Sequence, residues 1–296
     1  LTAGLADVPR VVPAAHRKPL WLLPNLLSLD APLVAVAWLY VFLQTWRLYH
    51  PWEAYVSLGL AVWGIYVADR LLDASLLDGT DSRLEARHHF HRRYRRPFRA
   101  ALIAALLVAT AIVVTRMPMT IYKHLLVGAV FVAGFFGLSM VTARERPDVP
   151  YTKNILAGVA FAFGVSMTAH LYRFEFGIPD LITSREFVCF AVLCILNISA
   201  IDLWEHAAAT EDREIKASDE LALTLPLFLL SGASIVYALM EDEMATRPFF
   251  YSILTGAALL YVINRNRSHF GMDALRVFAD LALLAPVLVF WASTRG

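Results

Sequence analysis

Asp69 and Asp73 are the residues whose type and spacing most invite chemistry. They lie in YVADRLLDASLLDG, Tyr66 to Gly79, at the end of a long apolar run. Four apart on a helix, they are offset by about 40° and face the same way. Two like charges so close repel each other and raise one pKa, unless a cation lies between them. A hard divalent ion such as Mg2+ is the usual remedy. It takes few protein carboxylates, keeps several waters and accepts its other ligands from substrate phosphates. The competing reading is a pair of side chains snorkelling to a membrane surface, with Arg70 as partner.

Asp202 is the carboxylate placed to answer from another helix. It sits in NISAIDLWEH, Asn197 to His206, with Glu205 three and His206 four residues on. One of those two is expected to share its face. A helix-end cap or a surface position is the plainer reading of Asp202. In PYTKNILAGVAFAFG, Pro150 to Gly164, Lys153 either snorkels or reaches a diphosphate. Asn154 has no reason to enter an apolar run unless it faces polar company. Gly158 and Ala162 are small enough to let another helix approach closely.

The strongest charge feature is RLEARHHFHRRYRRPFR, Arg83 to Arg99. It holds seven arginines, Arg87 among them, with His88, His89 and His91. One reading is topological anchoring and contact with anionic lipid. The other is a guanidinium lid over a phosphate-rich ligand, because Arg binds phosphate bidentately. A di-iron centre is disfavoured, since His16, His50, His124, His170, His206 and His269 form no second histidine box.

These residues need elements to hold them. The chain has 296 residues, 58% hydrophobic and 17% charged. Soluble chains run at about 45–50% apolar and about 25% charged. The composition predicts an all-α, polytopic membrane protein. Nine spans are read, at about 22–46, 52–74, 99–116, 120–142, 154–173, 186–204, 220–240, 248–264 and 274–293. Residues 1–296 form a single transmembrane domain, with 1–20 a cytoplasmic N-terminal segment. Arg17 and Lys18 before an apolar run imitate a signal peptide, but eight further spans favour a signal anchor. Net charge is +1, so nothing suggests nucleic acid. Cys189 and Cys194, five apart in one helix, point to different sides and are not expected to pair.

Lys and Arg set the orientation. One side holds Arg10, Arg17 and Lys18, then Arg83 to Arg99, then Arg144, Arg146 and Lys153, then Arg213 and Lys216, then Arg265 and Arg267. The other holds scattered cases only. The first side is expected to be cytoplasmic, with the N-terminus inside and the C-terminus outside. Asn25, Asp30, Asp69, Asp73, Asn154, Asn197, Asp202 and Asp280 then fall at one membrane level, toward the cytoplasm. An ionised group at mid-bilayer costs about 2.5–3.5 kcal/mol on insertion scales. Several in one leaflet therefore predict a polar cavity open to that side.

Together these features resemble the UbiA superfamily of intramembrane prenyltransferases: nine spans, a carboxylate motif ending span 2, a basic loop after it, Tyr-Thr-Lys-Asn opening span 5 and an acidic end to span 6. The layout is similar over the whole chain; the motifs are partly kept. Asp69, Arg70 and Asp73 match the first motif, but Ile65 and Tyr66 stand where the family has Asn and often Asp. Of the second motif's two aspartates, only Asp202 matches. Lys153 is similar to a family lysine near the diphosphate. The resemblance implies Mg2+ on Asp69, Asp73 and Asp202, with Arg70, Lys153, Asn154 and Arg87 at the diphosphate of an isoprenoid substrate. It implies allylic ionisation, with π faces stabilising the cation. The acceptor is an aromatic ring, a lipid headgroup or the substrate's own double bond, so prenyltransferase and terpene cyclase both stay open. A bacterial inner-membrane location, surrounded by membrane lipid, is the expectation. The alternative is a non-catalytic relative that binds a lipid, pigment or partner complex, which the loss at Ile65 favours. A transporter is weaker, with no paired broken helices or repeat.

Overall fold

The computed structural model describes residues 20–76, 90, 93–142, 151–243 and 246–295. All regular structure among them is helical. After a 3-10 turn, Leu20–Leu22, come α1 (Leu23–Leu26), α2 (Asp30–Thr45), α3 (Trp52–Leu76), α4 (Arg95–Arg116), α5 (Ile121–Thr142) and α6 (Tyr151–His170). Then follow α7 (Ile178–Ile182), α8 (Arg185–Ala209), α9 (Arg213–Met240), α10 (Arg247–Asn266) and α11 (Met272–Arg295).

Among the described residues, six helices are long and apolar enough to cross a bilayer: Trp52–Leu72, Arg95–Arg116, Ile121–Met140, Arg185–Ala209, Arg213–Met240 and Met272–Thr294. They mark the chain as an integral membrane protein. α2 is apolar but shorter. The backbone groups of such segments must be satisfied internally, which is why the apolar runs are helices. Caps and prolines set several ends. The Ser184 hydroxyl accepts from the Phe187 amide at 3.2 Å, and Asp212 Oδ1 accepts from Glu214 N–H at 2.8 Å. Pro24, Pro179 and Pro248 occupy first-turn positions, where no amide proton is needed.

The core is aromatic and centred on α2 and α8. Trp38, Phe42, Phe163, Phe190, Phe249, Phe250 and Phe290 are all fully buried. Trp38 and Phe190 have ring centres 4.5 Å apart, and the Trp38 indole N–H donates to the Leu283 carbonyl at 2.8 Å. α8 has 67% of its apolar window buried, against 17% for α4 and 11% for α5. Leu107 on α4 and Leu126 and Val130 on α5 stand exposed, so these two helices turn apolar faces outward, as lipid contact requires.

The expected first span, 22–46, is broken. Residues 27–29 leave the helix, and Ser28 takes the left-handed φ of 57° while fully buried. α1 thus ends short of α2, and the turn is closed by the Leu27, Ser28 and Leu29 amides donating to the Leu23, Asn25 and Pro24 carbonyls.

α6 and α8 meet at Gly158. A Cβ added there would lie 2.7 Å from both the Ile195 amide nitrogen and Cα. Ala162 is fully buried one turn on. This is the small-residue contact expected from the sequence. Gly158→Val should force the two helices apart, at a cost of about 1–3 kcal/mol or more. A lowered unfolding midpoint in detergent is the expected reading; an unchanged midpoint would contradict the close backbone contact.

Candidate functional site

Polar groups gather at one end of the bundle, where α2 starts, α3 and α8 end, and α6 and α11 begin. Their first cluster is built on the broken α1–α2 segment. Asn25 Nδ2 donates to Asp30 Oδ2 at 2.7 Å. Arg70, only 5% exposed, donates through Nη1 to the Asn25 carbonyl. Its Nη2 lies 3.7 Å from Asp30 Oδ2. A guanidinium does not lose its proton, so a buried one needs a carboxylate and acceptors. Arg70 therefore closes a triangle with Asn25 and Asp30. The second oxygen of Asp30, Oδ1, is buried and accepts no hydrogen bond. The Tyr66 phenol lies within Coulombic reach of Asp30, Asp280, Arg70 and Asp69. Three helices, α2, α3 and α11, thus bring their charges to one place.

The second cluster joins α6 to α8. Asn154, 2% exposed, donates through Nδ2 to Asp202 Oδ2 at 2.8 Å. The two residues are 48 apart in sequence, and the Gly158–Ile195 contact beside them sets the helix spacing that lets them meet. Glu205 takes Arg276 of α11 at 2.6 Å, and His206 Nδ1 is 2.8 Å from Asp219 Oδ2 of α9. Asn197 Nδ2 donates to the Ala279 carbonyl at 2.7 Å, tying α8 to α11 just before Asp280. The Trp204 indole donates to Asn264 Oδ1 of α10 at 2.9 Å. Lys153 places its ammonium 5.4 Å from the centre of the Phe135 ring on α5.

The expected site residues are therefore distributed as follows. Asn154 and Asp202 meet directly. Asp69 and Arg70 share the field around Tyr66 with Asp30 and Asp280. Asp73 is one turn further along the α3 backbone, and its side chain lies outside the described residues, as does Arg87. Among the described residues, no three His, Cys, Asp or Glu side chains form a ready metal cluster. Asn25 and Asp30 were picked out in the sequence as polar residues at one level, but not as partners of Arg70. Arg276 and Asp219 carried no signal, because their partners come from helices whose register the sequence does not reveal.

Removing one member of a buried ion pair costs about 3–5 kcal/mol, whereas replacing both by apolar groups is often close to neutral. Asp30→Leu or Arg70→Met alone should lower detergent stability by that order. The double variant Asp30→Leu/Arg70→Met should recover much of the loss. Strict additivity across this cycle would show that the pair is not coupled.

The chain matches no family model, no curated protein and no solved structure.

Proposed function

We propose that this chain is an intramembrane prenyltransferase or terpene cyclase acting on an isoprenoid diphosphate. The proposal includes nine spans in a UbiA-like bundle, an N-terminus on the arginine-rich cytoplasmic side and a bacterial inner-membrane setting. The observation that carries it is the Asn154–Asp202 hydrogen bond. It joins two residues picked out from separate motifs, and it does so at the end of the bundle that also holds Asp69 and Arg70.

The donor set fits a hard cation. It consists of carboxylates, and Asp30 and Asp280 add to Asp69 around Tyr66. The buried Asp30 Oδ1 has acceptor capacity unused by hydrogen bonds. Asp69, Asp73 and Asp202 would hold Mg2+, with Asp30 and Asp280 adding negative charge nearby. Bound there, Mg2+ supplies charge compensation for a diphosphate. Asn154 holds the Asp202 carboxylate in one orientation. Lys153 and Arg87 would meet the diphosphate as its allylic C–O bond breaks and the electron pair leaves with oxygen. Arg70 is committed to Asn25 and Asp30, so its part is a fixed positive charge at the site rather than the main grip on the leaving group. The resulting cation would pass to an acceptor or to the substrate's own double bond.

A second reading has one observation in its favour. Arg70 is a buried cation already balanced by Asp30, as in a structural core. On that reading the chain binds a lipid, pigment or partner complex without turnover.

The deciding assay is diphosphate release and product formation by purified protein, over a panel of prenyl diphosphates and acceptors. Turnover should require Mg2+ and stop with EDTA. Asp69→Asn and Asp73→Asn should each cut it by at least about 100-fold, as loss of a key electrostatic group does. Asp202→Asn should lower it, and Asn154→Leu should do so more mildly. Turnover that survives both EDTA and Asp69→Asn would refute the metal mechanism. No turnover with any member of the panel would favour the non-catalytic reading.

A further inference from the structure

The opposite end of the bundle holds a second set of side chains with unspent chemistry. His124, on the first turn of α5, and His170, closing α6, are 6% and 1% exposed. Their ring centres are 5.8 Å apart, with the rings tilted at 54°. His124 Nδ1 is 3.0 Å from the Thr120 carbonyl, so that nitrogen carries the proton and donates it. That leaves Nε2 as the ring nitrogen open to a ligand. This is the arrangement in which a histidine ligand is oriented by a backbone carbonyl behind it. His124 Nε2 accepts no hydrogen bond, and neither nitrogen of His170 makes one. A buried polar atom left unpaired costs about 1–3 kcal/mol. One nitrogen from each ring can be met by a single common partner.

We infer that His124 and His170 form a two-imidazole site for a copper(I) ion. Two imidazole nitrogens, each about 2 Å from a shared ion, place their ring centres about 5–6.5 Å apart, and imidazole suits copper among other metals. The ion's charge and coordination decide the choice. Zn2+ in a closed site takes four protein ligands. Among the described residues no third His, Cys, Asp or Glu completes a cluster here. Copper(I), a d10 ion of single charge, accepts two nitrogen donors in a wide angle. Its lower charge also makes burial less costly than for a divalent ion. Arg173 lies three residues beyond His170, and a second cation near it is tolerated best if singly charged. A thioether also lies at this end: Met117 Sδ accepts from the Tyr172 hydroxyl at 3.5 Å.

A pocket lies beside this end of the bundle. It has a volume of about 290 Å³ and is lined by Trp46, Arg173, Phe176, Asp180, Ser184 and Glu186, among others. Asp180 and Glu186 give its wall negative charge. Trp46 belongs to this wall, and its ring centre is 6.2 Å from that of His170. The Arg173 guanidinium is held over the rings of Trp46 at 4.8 Å and Phe176 at 4.0 Å. Trp46 thus joins the pocket wall to His170.

The test uses the purified full chain in detergent, under anaerobic reducing conditions. Copper(I) is offered with bicinchoninate as a coloured competing chelator, then excess is removed. One retained copper per chain is expected, with an X-ray absorption spectrum showing nitrogen ligation. His124→Ala and His170→Ala should each reduce retention to background. His124→Gln and His170→Asn guard against loss of fold: copper should raise the unfolding midpoint of the wild type and leave theirs unmoved. His50→Ala, on the loop between α2 and α3, should retain copper normally. The inference is overturned if the wild type retains none, if retention survives both histidine changes, or if Zn2+ is retained and copper(I) is not. It is equally overturned if nitrogen NMR finds the two rings sharing a proton and refusing the ion. The site is independent of the prenyl diphosphate reading, so neither result depends on the other.

Discussion

The polar end of this bundle depends on a contact that involves no polar side chain. At Gly158 the α6 backbone lies directly against that of α8 at Ile195, with no room for a Cβ. In a membrane there is little hydrophobic gain from bringing helices together, so packing and small residues decide how close they come. A wider spacing would carry Asn154 away from Asp202. The hydrogen bond between them is a consequence of the glycine one turn away. Once α6 and α8 are set, α8 fixes its other neighbours: Asn197 holds α11, Trp204 holds α10 and His206 holds α9.

A second constraint follows from burying Arg70. Its charge cannot be removed by deprotonation, so the fold must supply an anion and acceptors at that depth. Asp30 is the anion. The Asn25 carbonyl is the acceptor; it sits in the turn at Ser28, where it also takes the Ser28 amide at 3.2 Å. The left-handed backbone at a serine is a local cost, and the arginine pair it permits is the compensating gain. The same turn sets Asp30 at the start of α2, where it faces Arg70 of α3.

Much of the architecture was legible in the sequence, and the reason is physical. Apolar runs of bilayer length declare themselves, and the long helices lie within a few residues of the expected spans. The depth of Asn154 and Asp202 followed from counting along those runs, and Gly158 and Ala162 signalled a close contact by size alone. The broken first span was not legible. Ser28 is no glycine, and nothing in LPNLLSLDAP demands a left-handed residue. Nor was the pairing of Arg70 with Asp30, since it depends on which helix lies beside α3. His124 and His170 were noted only as failing to make a second box. Their proximity needs α5 and α6 in register, and one-dimensional spacing carries no trace of it.

The two ends of the molecule present different electrostatic problems, and their side chains differ accordingly. At the arginine-rich end the buried groups are mainly carboxylates, amides and cations that neutralise one another, as hard ions and phosphates require. At the other end the buried groups are two imidazoles, a thioether and aromatic rings. Such groups cannot balance a phosphate or a hard divalent ion, and they bind soft or borderline ions instead. Arg173 fits the same division. Its charge is spread over the faces of Trp46 and Phe176, which lowers the cost of holding a cation where carboxylates lie only at the pocket wall. The bundle core between the ends is packed with Trp38, Phe42, Phe190, Phe249 and Phe250, all fully buried. That aromatic layer separates the two polar regions with low-dielectric material. Each can therefore keep its own charge balance, and a change at one end should leave the chemistry of the other intact.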